Sequence, residues 1–388
     1  MLNFSIISGC LAFIIQGFFS HRRNTKTGGV MMKAFFSLLF CCLSVLFIYS
    51  AEQDSPTSSR QAGLLWQGVD FDQWDPNQSY SFSKAKVDFG DYPNFFNAPL
   101  LPFNTYLAQM PDKGTVMRVL YREGLYSDTG SGAIWRSEFS SSHSELVLEF
   151  DAYFEPGFQF VRGGKFHGLC SRNCYSNADP VPGDGMSVRF MWRQADDQNR
   201  ARIVLYVYHT DMPGIYGQDL PLLQGGPRAR IQADSSIYFP DIDETFTLGY
   251  EDRDYVGPWP VVRFEDDRWY RLKLRVKLND PGLRNGAIQT WIDDELVLNM
   301  TGFEFAIAGA NPDDYLLKYF LFQTFHGGGD DSWAPSEDVY AYYDSFKVES
   351  MDCDSLLASQ IEDWNAKGST WNILNMIKSY LPLSWSCE

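Results

Sequence analysis

The chain has 388 residues and a formal net charge of −17, and it is rich in Phe, Tyr and Trp, with Gly and Pro well distributed. This composition favours strands and turns over helices. The acidic balance argues against a nucleic-acid partner, because nucleic-acid binding requires a basic surface.

Residues 1–51 have the features of an export signal. A basic start at 32–33 precedes an apolar run at 34–48, and small residues follow at 50–51. Cleavage there would remove four basic residues and no acid, which takes the formal net charge to −21. We therefore expect a secreted, extracellular protein without stable membrane association after cleavage.

The true start of translation is expected at Met31 or Met32. A start at Met1 would place a second apolar run, residues 4–19, in front of the signal. An uncleaved membrane anchor is the alternative. No later stretch is apolar enough to span a bilayer.

Four cysteines follow the signal, and in an exported protein an even number suggests two disulfides. Three pairings are possible, and proximity in the sequence favours Cys170 with Cys174 and Cys353 with Cys387. A zinc site is the competing interpretation, but no pair has the CxxC spacing typical of zinc ligands. We expect no metal.

In chain order, a polar leader at 52–63 precedes a strand-rich domain at 64–350 and a helical tail at 351–388 closed by a disulfide. The regular spacing of strands and turns within 64–350 predicts an all-β fold, a jelly-roll β-sandwich of two antiparallel sheets. The clearest predicted strands are Glu145–Phe154, Met186–Trp192, Arg202–Thr210, Trp269–Lys277, Ile288–Leu298, Leu316–Phe325 and Val339–Val348.

Strand alternation brings polar side chains together in the predicted hairpin. Around Ser187 and Arg189 every second residue is bulky and apolar, so these two share the face away from the core. The same argument places Tyr206 and Tyr208 on that face of the next strand. If the strands pair, a Ser, an Arg and two Tyr line one exposed sheet surface.

The glycine-rich segment 163–168 brings basic residues to this surface. It places Lys165 and His167 beside the tyrosines. Lys165 forms a basic concentration within an acidic protein together with Arg162, Arg172, Arg189 and Arg193. Taken singly, each piece is more simply an ordinary solvated sheet face or turn, and their joint occurrence favours a site.

Five segments together resemble polysaccharide lyase family 14, the alginate lyases with relatives acting on glucuronan. The resemblance implies a β-jelly roll, no organic cofactor, and catalysis by Lys165, Tyr206 and Tyr208 with help from Ser187 and Arg189. Where the family commonly has Leu-Pro after the motif lysine, this chain has Phe166 and His167, which puts the substrate in doubt more than the chemistry. The segments are 163–169, 185–192, 206–208, 322–329 and 333–336.

The resemblance implies that the reaction at the predicted site is β-elimination. In β-elimination a base removes the proton at C5 of a uronate, a cation neutralises the adjacent carboxylate, and an acid protonates the leaving oxygen. We expect a tyrosine as base or acid, Lys165 neutralising charge or sharing the proton transfer, Arg189 gripping the carboxylate and Ser187 donating a hydrogen bond. We expect a monomer whose substrate contacts are Arg162, His167, Arg193, Gln323 and His326.

Two other functions remain open at this stage. Glu149 and Glu155 flank an acidic strand pattern that a sandwich-type retaining glycoside hydrolase would use. A non-catalytic glycan-binding module would keep the aromatic and basic groove without cleaving the chain. The histidines at 143, 209 and 326 are scattered, with no metal-ligand spacing.

Overall fold

A computed structural model of the protein describes residues 64–90, 93–94, 101–127, 130–176, 180–196, 198–247 and 257–351. The predicted export signal, the leader, the helical tail and the Cys353–Cys387 pair lie outside these residues. The prediction of a Cys170–Cys174 disulfide is confirmed, with the two Cα atoms 5.3 Å apart.

The described residues form strands joined by turns and three short helices. The helices are α1 (Phe82–Phe89), α2 (Leu101–Asn104) and α3 (Pro312–Tyr315). The strands are β1 (Leu64–Val69), β2 (Gln78–Ser79), β3 (Pro93–Asn94), β4 (Thr105–Met110), β5 (Gly114–Tyr121), β6 (Ala133–His143), β7 (Glu145–Phe154), β8 (Gly163–Ser171), β9 (Ser187–Ala195), β10 (Ala201–Tyr208), β11 (Gln218–Pro221), β12 (Arg228–Ile231), β13 (Ile237–Phe239), β14 (Glu244–Phe246), β15 (Arg263–Phe264), β16 (Trp269–Lys277), β17 (Gly286–Ile292), β18 (Glu295–Phe303), β19 (Leu317–His326) and β20 (Val339–Ser350).

Two sheets hold the strands of the described residues, which confirms the predicted all-β sandwich. The larger has twelve strands in the order β14-β13-β12-β18-β17-β16-β7-β20-β5-β4-β2, with β1 also on β20. The smaller has eight in the order β11-β10-β9-β8-β19-β6-β3, with β15 also on β10. Pairing is antiparallel except between β12 and β18, which run parallel. Apart from that one pair, the two sheets are antiparallel as predicted.

The predicted strand Ile288–Leu298 is two strands, β17 and β18. Asp293 and Asp294 both have positive φ, at 51° and 66°, and Ile292 lies opposite Glu295. Two left-handed residues make the tight hairpin turn whose twist matches the flanking strands, and Asp tolerates this conformation better than most residues. The acidic residues Asp293, Asp294 and Glu295 interrupt the apolar residues here and were the sequence signal of this turn.

The core lies between the sheets and is rich in aromatic residues. Alternate residues of each strand face it, such as Phe150 and Phe154 of β7 and Phe190 and Trp192 of β9, all fully buried. The Phe150 and Phe190 rings meet edge to face with centroids 5.8 Å apart. No helix in the described part of the chain is long and apolar enough to cross a membrane.

The outer face of the larger sheet carries a ladder of ion pairs between β7 and β16. Lys273 is directly opposite Glu149 and 3.0 Å from it, and Arg271 is directly opposite Asp151 and 3.3 Å from it. Glu145 bonds Arg275, which is two residues along β16 from its direct opposite. Opposite charges in cross-strand positions stabilise a sheet by up to about 1 kcal/mol per pair.

Asp344 of β20 adds a second acid beside this ladder, directly opposite Asp151. Asp344 is 3% exposed, and one of its carboxyl oxygens has no hydrogen-bond partner within the described residues. Burial raises the pKa of Asp344 to about 7, and the charge of Asp151 adds to the shift. The folded protein therefore holds this proton more tightly than the unfolded chain, whose carboxyl has its ordinary pKa.

The contribution of Asp344 to the free energy of unfolding is fully present below the pKa that its carboxyl has in the unfolded chain. It is lost as the pH rises towards 7, the pKa in the folded protein. We expect Asp344→Asn to raise the free energy of unfolding at pH 8 by roughly 2 kcal/mol, about half of what the full shift implies, because the amide must also find partners. At pH 4 the gain should vanish. Urea unfolding at both pH values measures it, and an equal gain at both would contradict this explanation.

Candidate active site

The tyrosine pair and the Ser-Arg pair come together on the face of the smaller sheet that points away from the core. In the β9–β10 hairpin Tyr206 lies opposite Arg189 and Tyr208 opposite Ser187. The two hydroxyl oxygens are 3.4 Å apart and the ring centroids 5.4 Å apart. The surface is not exposed as predicted, because none of the four residues is more than 4% accessible.

Arg189 is a buried cation whose hydrogen-bond acceptors are all neutral oxygens among the described residues. Its guanidinium donates to Gln323 Oε1 at 2.8 Å, to Ser187 Oγ at 2.6 Å and to the Tyr175 carbonyl at 3.3 Å. Burial lowers the pKa of Arg189, and interaction with Tyr208 and Tyr206 opposes that shift. A buried cation normally has a carboxylate partner. Arg189 has none among the described residues, so its positive charge stays available to the tyrosines.

Lys165 reaches the same face from β8 and is the most accessible of the five predicted catalytic residues. It is half-buried, and its Nζ lies 5.9 Å from the centroid of the Tyr206 ring and 5.5 Å from that of Phe325. The glycines around it allow β8 to pack tightly. A Cβ at Gly164 would overlap the Trp192 ring, and one at Gly168 would come within 2.0 Å of the Val188 carbonyl oxygen.

Two segments cover the tyrosines. One follows β8 and is fixed by the Cys170–Cys174 disulfide and by a hydrogen bond from the Tyr175 hydroxyl to Asp184. The other leads from β10 to β11 and brings Gly217 against the pair, where its N–H donates to the Tyr206 hydroxyl at 3.0 Å. Met212 of this second segment belongs to the same buried apolar cluster as the two tyrosines.

Arg193 is held by an acid that the sequence analysis missed. Its guanidinium makes two hydrogen bonds to the carboxylate of Asp219, at 2.7 and 2.8 Å, and both residues are buried. Its role as a substrate contact stays a prediction, and in this structure Asp219 neutralises its charge. The Arg162 guanidinium bonds Ser332 at 2.6 Å and lies above the Trp333 ring. Arg172 is exposed on the segment after β8.

The prediction that His167 lies beside the groove is wrong. Its ring is fully buried between the sheets, 4.7 Å from Phe150 and 4.6 Å from Tyr343, and burial lowers the pKa of His167 well below its usual value. The cause is an irregularity in strand pairing between Lys165 and Gly168. Such a bulge adds a residue and shifts the alternation of faces, so Phe166 and His167 both contact the core.

Of the two β19 residues predicted to bind substrate, Gln323 lies at the site and His326 does not. Gln323 holds Arg189, whereas the His326 ring stacks on Phe158 and bonds the Gln159 carbonyl. Burial lowers the pKa of His326 to about 4. The two residues are three apart, and in a strand such residues face opposite sides, so alternation alone excludes a shared site.

The family model for polysaccharide lyase 14 matches residues 109–219 and 259–346, just over half of the chain. The chain belongs to polysaccharide lyase family 14. Both matched ranges contain site residues, since Lys165, Arg189, Tyr206 and Tyr208 lie in the first and Gln323 in the second.

Solved structures of alginate lyases share the fold of this lyase. Alginate lyase Aly36B is 24% identical with a TM-score of 0.53, over 74% of this chain and 96% of that chain. An Aly36B mutant in complex with an alginate trisaccharide gives 23% and 0.56, over 76% and 100%. The marine alginate lyase from Aplysia kurodai gives 21% and 0.51, over 74% and 99%. No curated protein matches the chain significantly.

The carboxylates of the hydrolase alternative are not arranged for hydrolysis. Glu149 belongs to the ion-pair ladder on the outer face of the larger sheet, and Glu155 accepts the Tyr340 N–H at 2.7 Å. Six residues of extended strand separate them by about 20 Å, whereas a retaining pair requires about 5 Å. The lyase therefore uses these acids for its fold, and the hydrolase alternative is wrong.

The glycine at 217 offers a direct test of how closely the tyrosines are held. A Cβ there would lie 2.8 Å from the Tyr208 ring and 3.0 Å from the Tyr206 ring. We expect Gly217→Ala to displace both rings and lower kcat about tenfold or more, because small misplacements of reacting groups are costly. The melting temperature should change little. Steady-state kinetics on the polysaccharide measures the effect, and unchanged kcat would show that the rings can move without cost.

Proposed function

We propose that this lyase cleaves a uronate-containing polysaccharide by β-elimination at the Tyr206–Tyr208 site, with alginate, mannuronate-rich in particular, as the first candidate substrate and glucuronan as the second. The observation that carries the proposal is the buried charge of Arg189, whose acceptors among the described residues are neutral and which interacts with both tyrosines. The structural neighbours that are named alginate lyases support alginate.

The reaction removes the C5 proton of a uronate, forms a double bond to C4 and breaks the bond from C4 to the glycosidic oxygen. A tyrosine must be ionised to accept the proton, and a nearby buried cation favours that form. Arg189 provides this charge beneath the pair. The second tyrosine hydroxyl, 3.4 Å away, or the Lys165 ammonium then protonates the leaving oxygen.

The exposure of Lys165 and Arg189 suggests other roles for these two residues than the sequence-based expectation. Lys165 is half-buried whereas Arg189 is 1% exposed, so we assign the substrate carboxylate to Lys165. Arg189 then acts on the tyrosines, and Ser187 and Gln323 orient its guanidinium. For a sugar to bond the Tyr206 hydroxyl, it must displace the Gly217 N–H, which bonds that hydroxyl directly.

A panel of polysaccharides tests the function. We expect alginate or glucuronan to give products with the ultraviolet absorbance of a conjugated double bond, and neutral β-glucan to give none. Tyr206→Phe and Tyr208→Phe should each abolish or greatly reduce this absorbance. New reducing ends without absorbance would indicate hydrolysis, and retention without cleavage would indicate a binding module, and either result would overturn the proposal.

We also propose that the protein is exported and works outside the cell. The signal-like segment at 1–51 supports this, as does the Cys170–Cys174 disulfide, because disulfides persist in oxidising compartments. The N-terminal peptide of the protein recovered from the medium should begin near residue 52. Retention of the full chain in the cytoplasm would contradict export.

A further inference from the structure

A row of aromatic residues crosses the outer face of the larger sheet, on the side of the sandwich opposite the tyrosine pair. Trp269 of β16 is directly opposite Tyr153 of β7, and Tyr153 is opposite Tyr342 of β20. Tyr342 is opposite Arg118 of β5, and Arg118 is opposite Tyr106 of β4. Five adjacent strands thus contribute one residue each at the same level, over about 19 Å at the usual strand spacing.

All five members of this aromatic row point away from the core. The neighbours of Tyr153 and Tyr342 along their strands are fully buried, whereas the row residues are half-buried and Tyr106 is 39% exposed. Trp269 lies two residues from Arg271, the nearest base of the ion-pair ladder, so both side chains face the same side of the sheet. The row is therefore a surface feature and not part of the core.

The members of the row touch one another and form a continuous platform. The Tyr153 ring lies 5.5 Å from the Trp269 ring and 5.6 Å from the Tyr342 ring. The Arg118 guanidinium lies 5.5 Å from the Tyr106 ring and 4.6 Å from that of the adjacent Tyr340. A hydrogen bond of 2.8 Å from the Tyr153 hydroxyl to Asp267 fixes the Tyr153 ring, which lies between Trp269 and Tyr342.

The row departs from the chemistry of the rest of this face. The two nearest levels on β7 and β16 each pair an acid with a base, Arg271 with Asp151 and Lys273 with Glu149, and such charged pairs are well suited to a surface in water. Exposed aromatic rings gain nothing from water and favour a partner with flat apolar faces and polar edges. The bordering ion pairs leave no broad apolar patch of the size that a protein partner needs.

We propose that the aromatic row is a second binding site for an acidic polysaccharide chain, separate from the site of cleavage. The line of rings suits stacking against the apolar faces of successive sugars, and its width is one residue. Arg118 within the row places positive charge where uronate carboxylates would lie, whereas Lys113, whose Nζ lies 5.2 Å from the Trp269 ring, is already ion-paired with Asp151. In a protein of strongly negative net charge, this site would retain the polymer between cleavage events.

This proposal rests on the proposed function for its choice of ligand, and affinity electrophoresis tests it without requiring activity. The full chain carrying Tyr208→Phe, which keeps the polymer intact, is run through gels containing alginate or neutral β-glucan. We expect retardation by alginate alone. Trp269→Ala with Tyr342→Ala should weaken the apparent affinity about tenfold or more, at roughly 1 kcal/mol per ring. Tyr342→Phe, which keeps the ring, should behave as the parent.

The matched control is Tyr238→Ala, which removes a half-buried tyrosine of β13 at the far end of the same sheet. It should leave retardation unchanged. Tyr106→Ala, at the accessible end of the row, provides a single mild variant if the double variant does not fold, and it should weaken retardation about threefold. In the otherwise native enzyme, the double variant should lower kcat/KM on the polymer but not on a trisaccharide.

Retardation that persists in folded row variants would overturn the proposal, as would an equal loss of kcat/KM on polymer and trisaccharide. A dimer that dissociates in the row variants, with retardation unchanged, would assign the surface to a second copy of the chain instead. Failure of the proposed function is a distinct result, because no uronate polymer would then give unsaturated products whether or not the gel shows binding.

Discussion

Replacing Arg189 by Gln is expected to lower kcat/KM on the polysaccharide by about a thousandfold. Arg189 is the buried charge that favours tyrosinate, and removal of one preorganised electrostatic group from an active site costs about 10²–10³ in rate. Gln can keep a hydrogen bond to Ser187 or Gln323 but carries no charge. Initial rates of double-bond formation across the pH range measure the effect.

Two further observations separate this electrostatic role from a structural one. Arg189→Lys keeps the charge and loses the planar fork, so it should retain roughly a tenth of the activity, although it disturbs the same contacts. In Arg189→Gln the rising limb of kcat/KM against pH should move to higher pH, because a tyrosine without the cation is harder to ionise. Equal losses in the Lys and Gln variants, with an unmoved pH profile, would reduce Arg189 to a structural residue.

Strand alternation was sufficient to predict which side chains of the hairpin share a face. Ser187, Arg189, Tyr206 and Tyr208 lie where a period of two places them, because β9 and β10 pair without irregularity along this stretch. The same rule failed for His167, where the irregular pairing after Lys165 shifts the alternation by one residue. A bulge depends on how three strands fit together, and the local sequence does not encode that fit alone.

Contacts between distant segments were beyond the sequence analysis. Asp219 lies opposite Tyr206 in the β10–β11 pairing and bonds Arg193, yet a single acid in a turn-rich stretch gives no signal of either contact. The covering of the tyrosines was missed for the same reason, since it depends on Gly217 and Met212 folding back over β10. The aromatic row is visible only once β4, β5, β7, β16 and β20 are in register.

Asp219→Asn is expected to lower the free energy of unfolding by about 3–5 kcal/mol, because it leaves the Arg193 guanidinium buried without its counter-charge. Asp219 is fully buried and Arg193 is 5% exposed, so water cannot replace the lost carboxylate. Removing both charges in Arg193→Met with Asp219→Leu should cost much less, since buried pairs can often be replaced by apolar residues at little net cost. Urea unfolding of the single and double variants measures the difference.

This comparison also distinguishes the two buried arginines of β9, which lie four residues apart. Arg193 is neutralised by Asp219, so the double variant should keep most of its activity per folded molecule, although its stability changes. Arg189 has neutral partners, so its loss should reduce activity far more than stability. If instead the double variant is as inactive as Arg189→Gln, the Arg193–Asp219 pair takes part in the reaction through Tyr206, whose ring lies 5.5 Å from the Arg193 guanidinium.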